Sequence, residues 1–378
     1  MDSPTNTVSP VVIHGLSLTN FRNADSAQYA FGNGLIFITG NNGAGKTTIL
    51  EAIGLTSFLK SFRFALDREL IRFGCSFYRV EAGFAVGAAK HRIAIGFGRN
   101  PEDTRAPIVK KYTVDGRTNA KAAEIIGRIP SVVLSPDDMR IIAGDNTERR
   151  RFLDLLLSML YPGYFAALQQ YHRALKMRSQ LLKSRPDEGV LAAVDRELAG
   201  AGMQILEKRR QFIPEFTAPF SDSVGKISAG KDSWQIDYRG DTVAVNSVDD
   251  YLQMLLAHRA NDLRLRQTTS GIHRDRLFFL ADGNIERDIR IIGSQGQKRT
   301  AALALKMAQF SYMQGKLYTR PVLLIDDVLN ELDLNRRASF IDFLGNVGQV
   351  FFTTTDLVGM RDFLKNLHQT TPVQNIEL

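Results

Sequence analysis

The chain has 378 residues, 44% of them hydrophobic, which suits a protein of two or three domains with cores of their own. Its single cysteine, Cys75, excludes an intrachain disulfide, and with no signal peptide or membrane-length apolar run evident, a cytoplasmic protein with no membrane partner is expected. The net charge of +8 permits a polyanionic partner, and residues 1–127, with 15 basic and 10 acidic side chains, hold most of the surplus.

The first eight residues read as a polar tail, after which Val11 with Ile13 and Leu16 with Leu18 predict short strand segments broken at Gly15. A second strand, 35–39, runs into Gly40-Asn41-Asn42-Gly43-Ala44-Gly45-Lys46-Thr47. Beyond Lys46 the apolar residues Ile49, Leu50, Ile53 and Phe58 recur at helical spacing. A glycine-rich loop between strand and helix, closed by Lys-Thr, is a phosphate-binding loop. Its backbone N–H groups and the positive end of the helix wrap the phosphates. Lys46 then reaches the outer phosphates, the Thr47 hydroxyl ligates Mg2+, and Thr48 completes the cradle.

Residues 77–117 alternate around turn signals such as Asp115-Gly116, predicting an antiparallel meander rich in arginine and lysine. From Thr147 the pattern turns helical, with segments 150–160, 165–183 and 194–212. A strand-rich stretch, 234–245, and a helix, 248–265, follow. These shifts divide the chain into an ATPase lobe, 1–128, an inserted mainly helical arm, 129–267, and a second ATPase part, 268–378.

Ser294-Gln295-Gly296-Gln297 precedes the periodic Ala302, Leu305 and Ala308, and a capping box between Ser294 and Gln297 accounts for it locally. Residues 322–325 form the apolar run of a buried strand that ends in Asp326 and Asp327. Asp326 suits a Mg2+ shell, and Asp327 suits a general base that polarises the attacking water. Asp327 is shorter than the glutamate usual there, so slow hydrolysis is expected. Phosphate loop, Ser-Gln-Gly-Gln helix start and paired aspartates, in this order, mark an ABC-type ATPase. In that class the Ser294 to Gln297 segment meets the triphosphate held by a second copy, which implies a homodimer around ATP and gives Ser294 a catalytic part beside Lys46 and Asp327. Asn330-Glu331-Leu332-Asp333 resembles the D-loop of such dimers, and Thr355 stands where transporters of the class carry a histidine.

Further segments fall in register with these: Leu18-Thr19-Asn20-Phe21-Arg22-Asn23, Leu50-Glu51-Ala52-Ile53, Ser61-Phe62-Arg63, Ser135-Pro136-Asp137-Asp138, Arg149-Arg150-Arg151-Phe152-Leu153-Asp154 and Gly271-Ile272-His273-Arg274-Asp275. Their order and spacing resemble the RecF family over nearly the whole chain. The resemblance implies an α/β fold, an ABC-type P-loop ATPase domain like the SMC and Rad50 heads, with an inserted mostly helical arm. It also implies that Arg22 points toward bound nucleotide, that ATP and Mg2+ are the cofactors, and that the protein binds gapped DNA and helps RecO and RecR place RecA on single strands. Three positions depart from the family pattern: Ile272 and Arg276 replace the proline and the last aspartate of Pro-His-Arg-Asp-Asp, and Asn330 replaces a serine.

DNA phosphates would be met by clustered bases, with Arg68, Arg72, Lys90, Arg92, Lys110 and Lys111 on the first lobe and Arg178, Lys183 and Arg185 on the arm as candidates. Nothing resembles a recognition helix, so binding should tolerate any sequence. A nucleotide-dependent DNA clamp with negligible turnover is the competing reading, and Asp327 decides between them.

Overall fold

The structure, a computed structural model, describes residues 10–99, 107–184, 187–281, 284–328, 334–345, 347–354 and 372–378. Contacts divide it into two compact units, one of Met1–Asp138, Lys226–Ser228 and Leu305–Leu378, the other of Met139–Gly225 and Ala229–Ala304. These boundaries differ from the 128/129 and 267/268 expected from sequence character. The strand at 131–134 joins the first unit's parallel sheet, and the strand at 276–280 pairs inside the second unit.

In chain order the first unit holds strands β1 (Val11–Phe21), β2 (Ala24–Ala30) and β3 (Leu35–Thr39), helix α1 (Lys46–Phe58), and strands β4 (Phe77–Val86), β5 (Ala89–Gly98), β6 (Val109–Val114), β7 (Arg117–Thr118) and β8 (Ser131–Leu134). The second unit follows with helices α2 (Met139–Ala143), α3 (Asn146–Leu160), α4 (Tyr164–Leu181) and nearly all of α5 (Glu188–Ile227), then β9 (Gln235–Arg239), α6 (Val248–Leu265), β10 (Arg276–Leu280) and α7 (Ile289–Ile292). Helix α8 (Gln295–Leu317) starts in the second unit and ends in the first, which closes with β11 (Val322–Asp326), α9 (Leu334–Leu344), β12 (Val350–Thr354) and β13 (Val373–Glu377).

Five parallel strands in the order β13-β3-β12-β11-β8 form one sheet of the first unit. Strands β3, β11 and β12 are buried along their whole length, as apolar runs must be when both faces are covered. Being parallel, β3, β12 and β11 bring their C-terminal ends to the same edge, where a ligand crevice belongs. The second sheet, β2-β1-β4-β5-β6-β7, is the expected meander extended by β1 and β2. β1 is one strand of 11 residues instead of two pieces, because a register shift between Ile13 and Gly15 takes up His14 as the extra residue of a bulge and leaves Gly15 paired with Gly83 and Ala30. Gln349 ties the two sheets: its buried carboxamide accepts from the Ile13 N–H and donates to the carbonyls of Ile13 and Gly32.

Helix α5 runs 40 residues, past the expected stop at Phe212. Pro214 and Pro219 lie inside it, each removing a backbone donor. Phe212, Phe216, Phe220, Val224 and Ile227 nevertheless continue a buried stripe at helical spacing, and that burial outweighs the lost bonds. Arg209, also on α5 and fully buried, donates to Asp154, to the Tyr164 and Tyr238 hydroxyls and to the Ile272 carbonyl.

Candidate functional site

The chain leaves β3 into the turn of residues 40–45 and enters α1 at Lys46. Gly45 holds φ 107, a left-handed conformation, and a Cβ there would come 3.0 Å from the Asn23 carboxamide, so glycine is required on both counts. No acidic residue lies in the first turn of α1, which leaves the positive end of its dipole uncompensated. Lys46 curls back over the loop, its Nζ donating to the carbonyls of Gly40 (2.8 Å) and Asn41 (2.9 Å). Asn42, Gly43, Gly45, Lys46, Thr47 and Thr48 line one side of a pocket of about 820 Å³, and Gly40, Asn41 and Ala44 form the rest of the turn.

Across the pocket stand Asp327 and Thr353. The Thr47 hydroxyl donates to Asp326 Oδ1 at 2.7 Å, and the Thr353 hydroxyl donates to the same oxygen at 2.8 Å. Burial raises the Asp326 carboxyl above its ordinary range, against the pull of those two hydroxyls and of the Arg63 charge. Asp327 follows with φ 51 and its N–H on Thr353 Oγ1 at 3.1 Å, so its side chain departs from the strand's alternation and borders the pocket. Thr47 and Asp326 present two hard oxygens at one point, the donor type Mg2+ takes alongside phosphates and water. Among the described residues no cluster of three or more His, Cys, Asp or Glu side chains forms a cage for a metal by itself.

Arg22 lines the pocket, but its guanidinium is committed elsewhere. It clamps the buried Glu51 carboxylate through Nε (2.8 Å) and Nη2 (2.7 Å) and donates to the Glu69 carbonyl. Ser61 also donates to Glu51, and the Ser61 hydroxyl receives the Arg63 N–H. The neighbour Asn23, which motif reading passed over, reaches the phosphate loop itself: it donates to the Gly43 carbonyl at 3.4 Å and accepts from the Thr48 hydroxyl at 3.0 Å. Its signal was present in the Phe21-Arg22-Asn23 fragment.

A family model described as the RecF/RecN/SMC N terminal domain matches residues 12–376. The chain is 40% identical over 353 residues to the DNA replication and repair protein RecF of Leptospira interrogans serogroup Icterohaemorrhagiae serovar Lai, covering 93% of this chain and 94% of that one. The chain belongs to the RecF family. The RecF protein of Agathobacter rectalis is 35% identical over 372 residues, 97% of each chain. Among solved structures, the recombination mediator protein RecF-ATPrS of the RecFOR pathway superposes with a TM-score of 0.84 at 29% identity, covering 98% of this chain and 97% of that one. The Smc head domain derived from Pyrococcus furiosus gives a TM-score of 0.50 at 18% identity, covering 93% and 92%, and shares the fold alone. The fold is therefore the ABC-type head of RecF and SMC proteins.

The other RecF-like segments lie partly in the second unit. Ser294 and Gln297 form a reciprocal capping box, the Ser294 N–H on Gln297 Oε1 at 3.0 Å and the Gln297 N–H on Ser294 Oγ at 3.2 Å. Ser294 and Gln295 stay exposed, Gly296 and Gln297 half-buried. The 271–275 segment is woven into the arm's polar interior: Tyr238 and Thr242 donate to Asp275, Tyr171 meets His273 Nδ1 at 2.7 Å, and His273 Nε2 faces the Thr268 carbonyl at 3.3 Å. Burial lowers the His273 pKa to about 4. Asn330 to Asp333, Thr355 and Arg185 lie outside the described residues.

The proposed DNA contacts require correction. Arg178 is fully buried, with Nε on Asp195 at 2.7 Å and Nη1 on Asp262 at 2.6 Å, so it is a core ion pair and no phosphate contact. Lys110 points inward, donating to Asp67 at 2.7 Å and to the Leu59 carbonyl. Lys111, one residue on and therefore on the opposite face of β6, is exposed; it pairs with Gly96, which also pairs with Arg79. Lys90 and Arg92 of β5 share that outer face, where Glu81 bonds Arg79 at 2.7 Å and Arg92 at 3.1 Å. Arg68 and Lys183 are exposed, while Arg72 pairs with Asp25 at 3.4 Å and lines the phosphate-loop pocket.

Proposed function

We propose that the chain is an ATP-dependent recombination mediator that binds DNA and helps the other members of its pathway, RecO and RecR, place RecA on gapped single strands. Its relatives are named DNA replication and repair proteins, and a solved recombination mediator similar to it over 94% of both chains is RecF with ATP. The observation that carries the reading is the joining of Thr47 to Asp326 beside the phosphate loop. Gly40 to Thr48 hold the triphosphate, Lys46 neutralises its outer charge, and Thr47 with Asp326 hold Mg2+, which supplies further neutralisation of that charge when bound. Asp327 accepts the proton of the attacking water, slowly for want of a methylene. The exposed helix start at Ser294 to Gln297 caps the triphosphate of a second copy, so ATP assembles a homodimer. Lys90, Arg92 and Lys111, aided by Arg68, Arg72 and Lys183, meet DNA phosphates without reading bases.

Sedimentation and DNA binding with ATP, ADP and the Lys46→Arg variant, on gapped and fully duplex substrates, test this reading. ATP-dependent dimers with DNA affinity are expected. Monomers indifferent to nucleotide and without DNA affinity would overturn it and leave the fold untouched.

A further inference from the structure

The helix start at residues 294–297 is held by a side chain 65 positions earlier in the chain, outside every motif named above. Gln297 makes two opposed bonds: its Oε1 accepts the Ser294 N–H at 3.0 Å, and its Nε2 donates to Asp232 Oδ1 at 2.9 Å. A carboxamide can present either end, and with its NH2 group toward Ser294 two donors would face each other. The Asp232 carboxylate only accepts, so it selects the orientation in which Gln297 caps Ser294. The Gln297 N–H in turn donates to Ser294 Oγ at 3.2 Å. Ser294 thus has its N–H satisfied and its oxygen in use as an acceptor. Its hydroxyl proton donates to nothing among the described residues, on an exposed side chain ahead of the positive end of the 23-residue α8.

The β9–β10 ribbon fixes this arrangement from both sides. Asp232 stands three residues ahead of β9, and its segment is pinned to α5 where Ser221 Oγ donates to the carbonyl of the buried Trp234 at 2.7 Å. Antiparallel pairing sets Gln235, the first residue of β9, against Leu280, the last of β10, and Leu280 also bridges Asp288. The buried Arg149 clamps both Asp288 oxygens at 3.3 Å, and Asp288 caps α7, the short helix that delivers the chain to Ser294. Both sides of the Ser294 turn therefore reach back to one end of one ribbon. The geometry points to Asp232 as a positioning residue for ATP turnover: by holding the Gln297 carboxamide it aims the Ser294 hydroxyl and the first N–H groups of α8 at the triphosphate of a second copy. This rests on the reading of 294–297 as the segment that completes that copy's site. Asp232 itself touches neither the nucleotide nor the attacking water. A carboxylate near an anion site repels the anion, so a role through charge would have the opposite sign from this role through orientation.

ATP hydrolysis by the full chain across ATP concentrations, beside calorimetric ATP binding, tests the assignment. The proteins compared are the wild type, Asp232→Ala, Gln297→Glu, the double exchange of Asp232→Asn with Gln297→Glu, and Ser294→Ala. Asp232→Ala and Gln297→Glu should each lower the saturated rate by about tenfold and leave ATP affinity unchanged, since the phosphate loop is untouched. The double exchange again sets a donor opposite an acceptor, with the second carboxylate oxygen left for the Ser294 N–H, and should restore the rate to within about twofold of the wild type. A general loss of packing would not recover in this way. An undiminished or raised rate in Asp232→Ala, or a double exchange no faster than Gln297→Glu, overturns the assignment. Wild-type hydrolysis in Ser294→Ala overturns instead the reading of 294–297 on which it rests.

Discussion

Thr47 and Asp326, 279 positions apart in sequence, share a hydrogen bond of 2.7 Å at the common edge of β3 and β11. Hydroxyl and carboxylate thereby converge on the place where a phosphate-bound cation would sit. Asp326→Asn keeps the shape and removes the charge. It is expected to lower Mg2+-dependent ATP hydrolysis by about 10²–10³-fold, while nucleotide binding in EDTA survives. Phosphate release assays beside titrations with and without Mg2+ separate the two, and equal hydrolysis in both proteins would remove Asp326 from the metal shell.

Asp327 has a different expected signature. Its left-handed backbone turns the side chain out of the strand's alternation, so it lines the pocket and stays exposed. Asp327→Asn should reduce turnover by about 10²-fold or more and leave the ATP dissociation constant nearly unchanged. Hydrolysis that continues at the wild-type rate would leave the clamp reading standing and the general base unassigned.

The parts of this site that were legible in sequence are those fixed by local chemistry. Gly43, Gly45, Lys46 and Thr47 must be where they are for a loop to wrap phosphate, and the apolar run before Asp326 must be a buried strand. What escaped depends on long-range pairing. The register of β5 and β6 decides that Lys110 faces the core and Lys111 the solvent, and no local pattern distinguishes two adjacent lysines. Arg178 sits on an amphipathic helix, where an arginine reads as surface until Asp195 and Asp262 arrive from α5 and α6. The helix expected to stop at 212 runs on through Pro214 because the buried phenylalanines beyond it outweigh the lost backbone bond.

The two lysines give a paired test. Lys111→Glu, on the outer face with Lys90 and Arg92, should weaken DNA binding and lower the slope of log affinity against log salt by about one. Lys110→Ala should instead leave the salt slope intact and lower thermal stability, since it strips Asp67 of one of its two anchors. The reverse pattern would put the wrong face of the meander on DNA.

Arg178 separates core from surface more sharply. Arg178→Ala leaves two carboxylates, Asp195 and Asp262, buried beside each other without their shared cation. A loss of about 3–5 kcal/mol is expected in urea unfolding of the variant. An unchanged unfolding midpoint with impaired DNA binding would restore the residue to the DNA surface.

His273 sets a pH dependence whose sign follows from its hydrogen bonds. Nε2 faces the Thr268 carbonyl, which can only accept, so the neutral ring donates there and accepts the Tyr171 hydroxyl at Nδ1. Protonation would destroy that acceptor, and burial, reinforced by the charges of Arg274, Arg150 and His172, also disfavours it; the folded pKa falls to about 4. The unfolded chain, with an ordinary value of about 6.5, binds the proton first as pH drops. Stability contributed by the neutral ring is therefore complete above about pH 6.5 and is lost as pH falls toward 4, by about 3 kcal/mol in all. His273→Gln, which cannot titrate, should flatten this part of the curve while the neighbouring Asp275 titrates in both proteins and cancels in the difference. Urea unfolding of the two at pH 7.5, 6.0 and 5.0 makes the comparison. Parallel losses in wild type and variant would show that the imidazole is protonated in the folded arm.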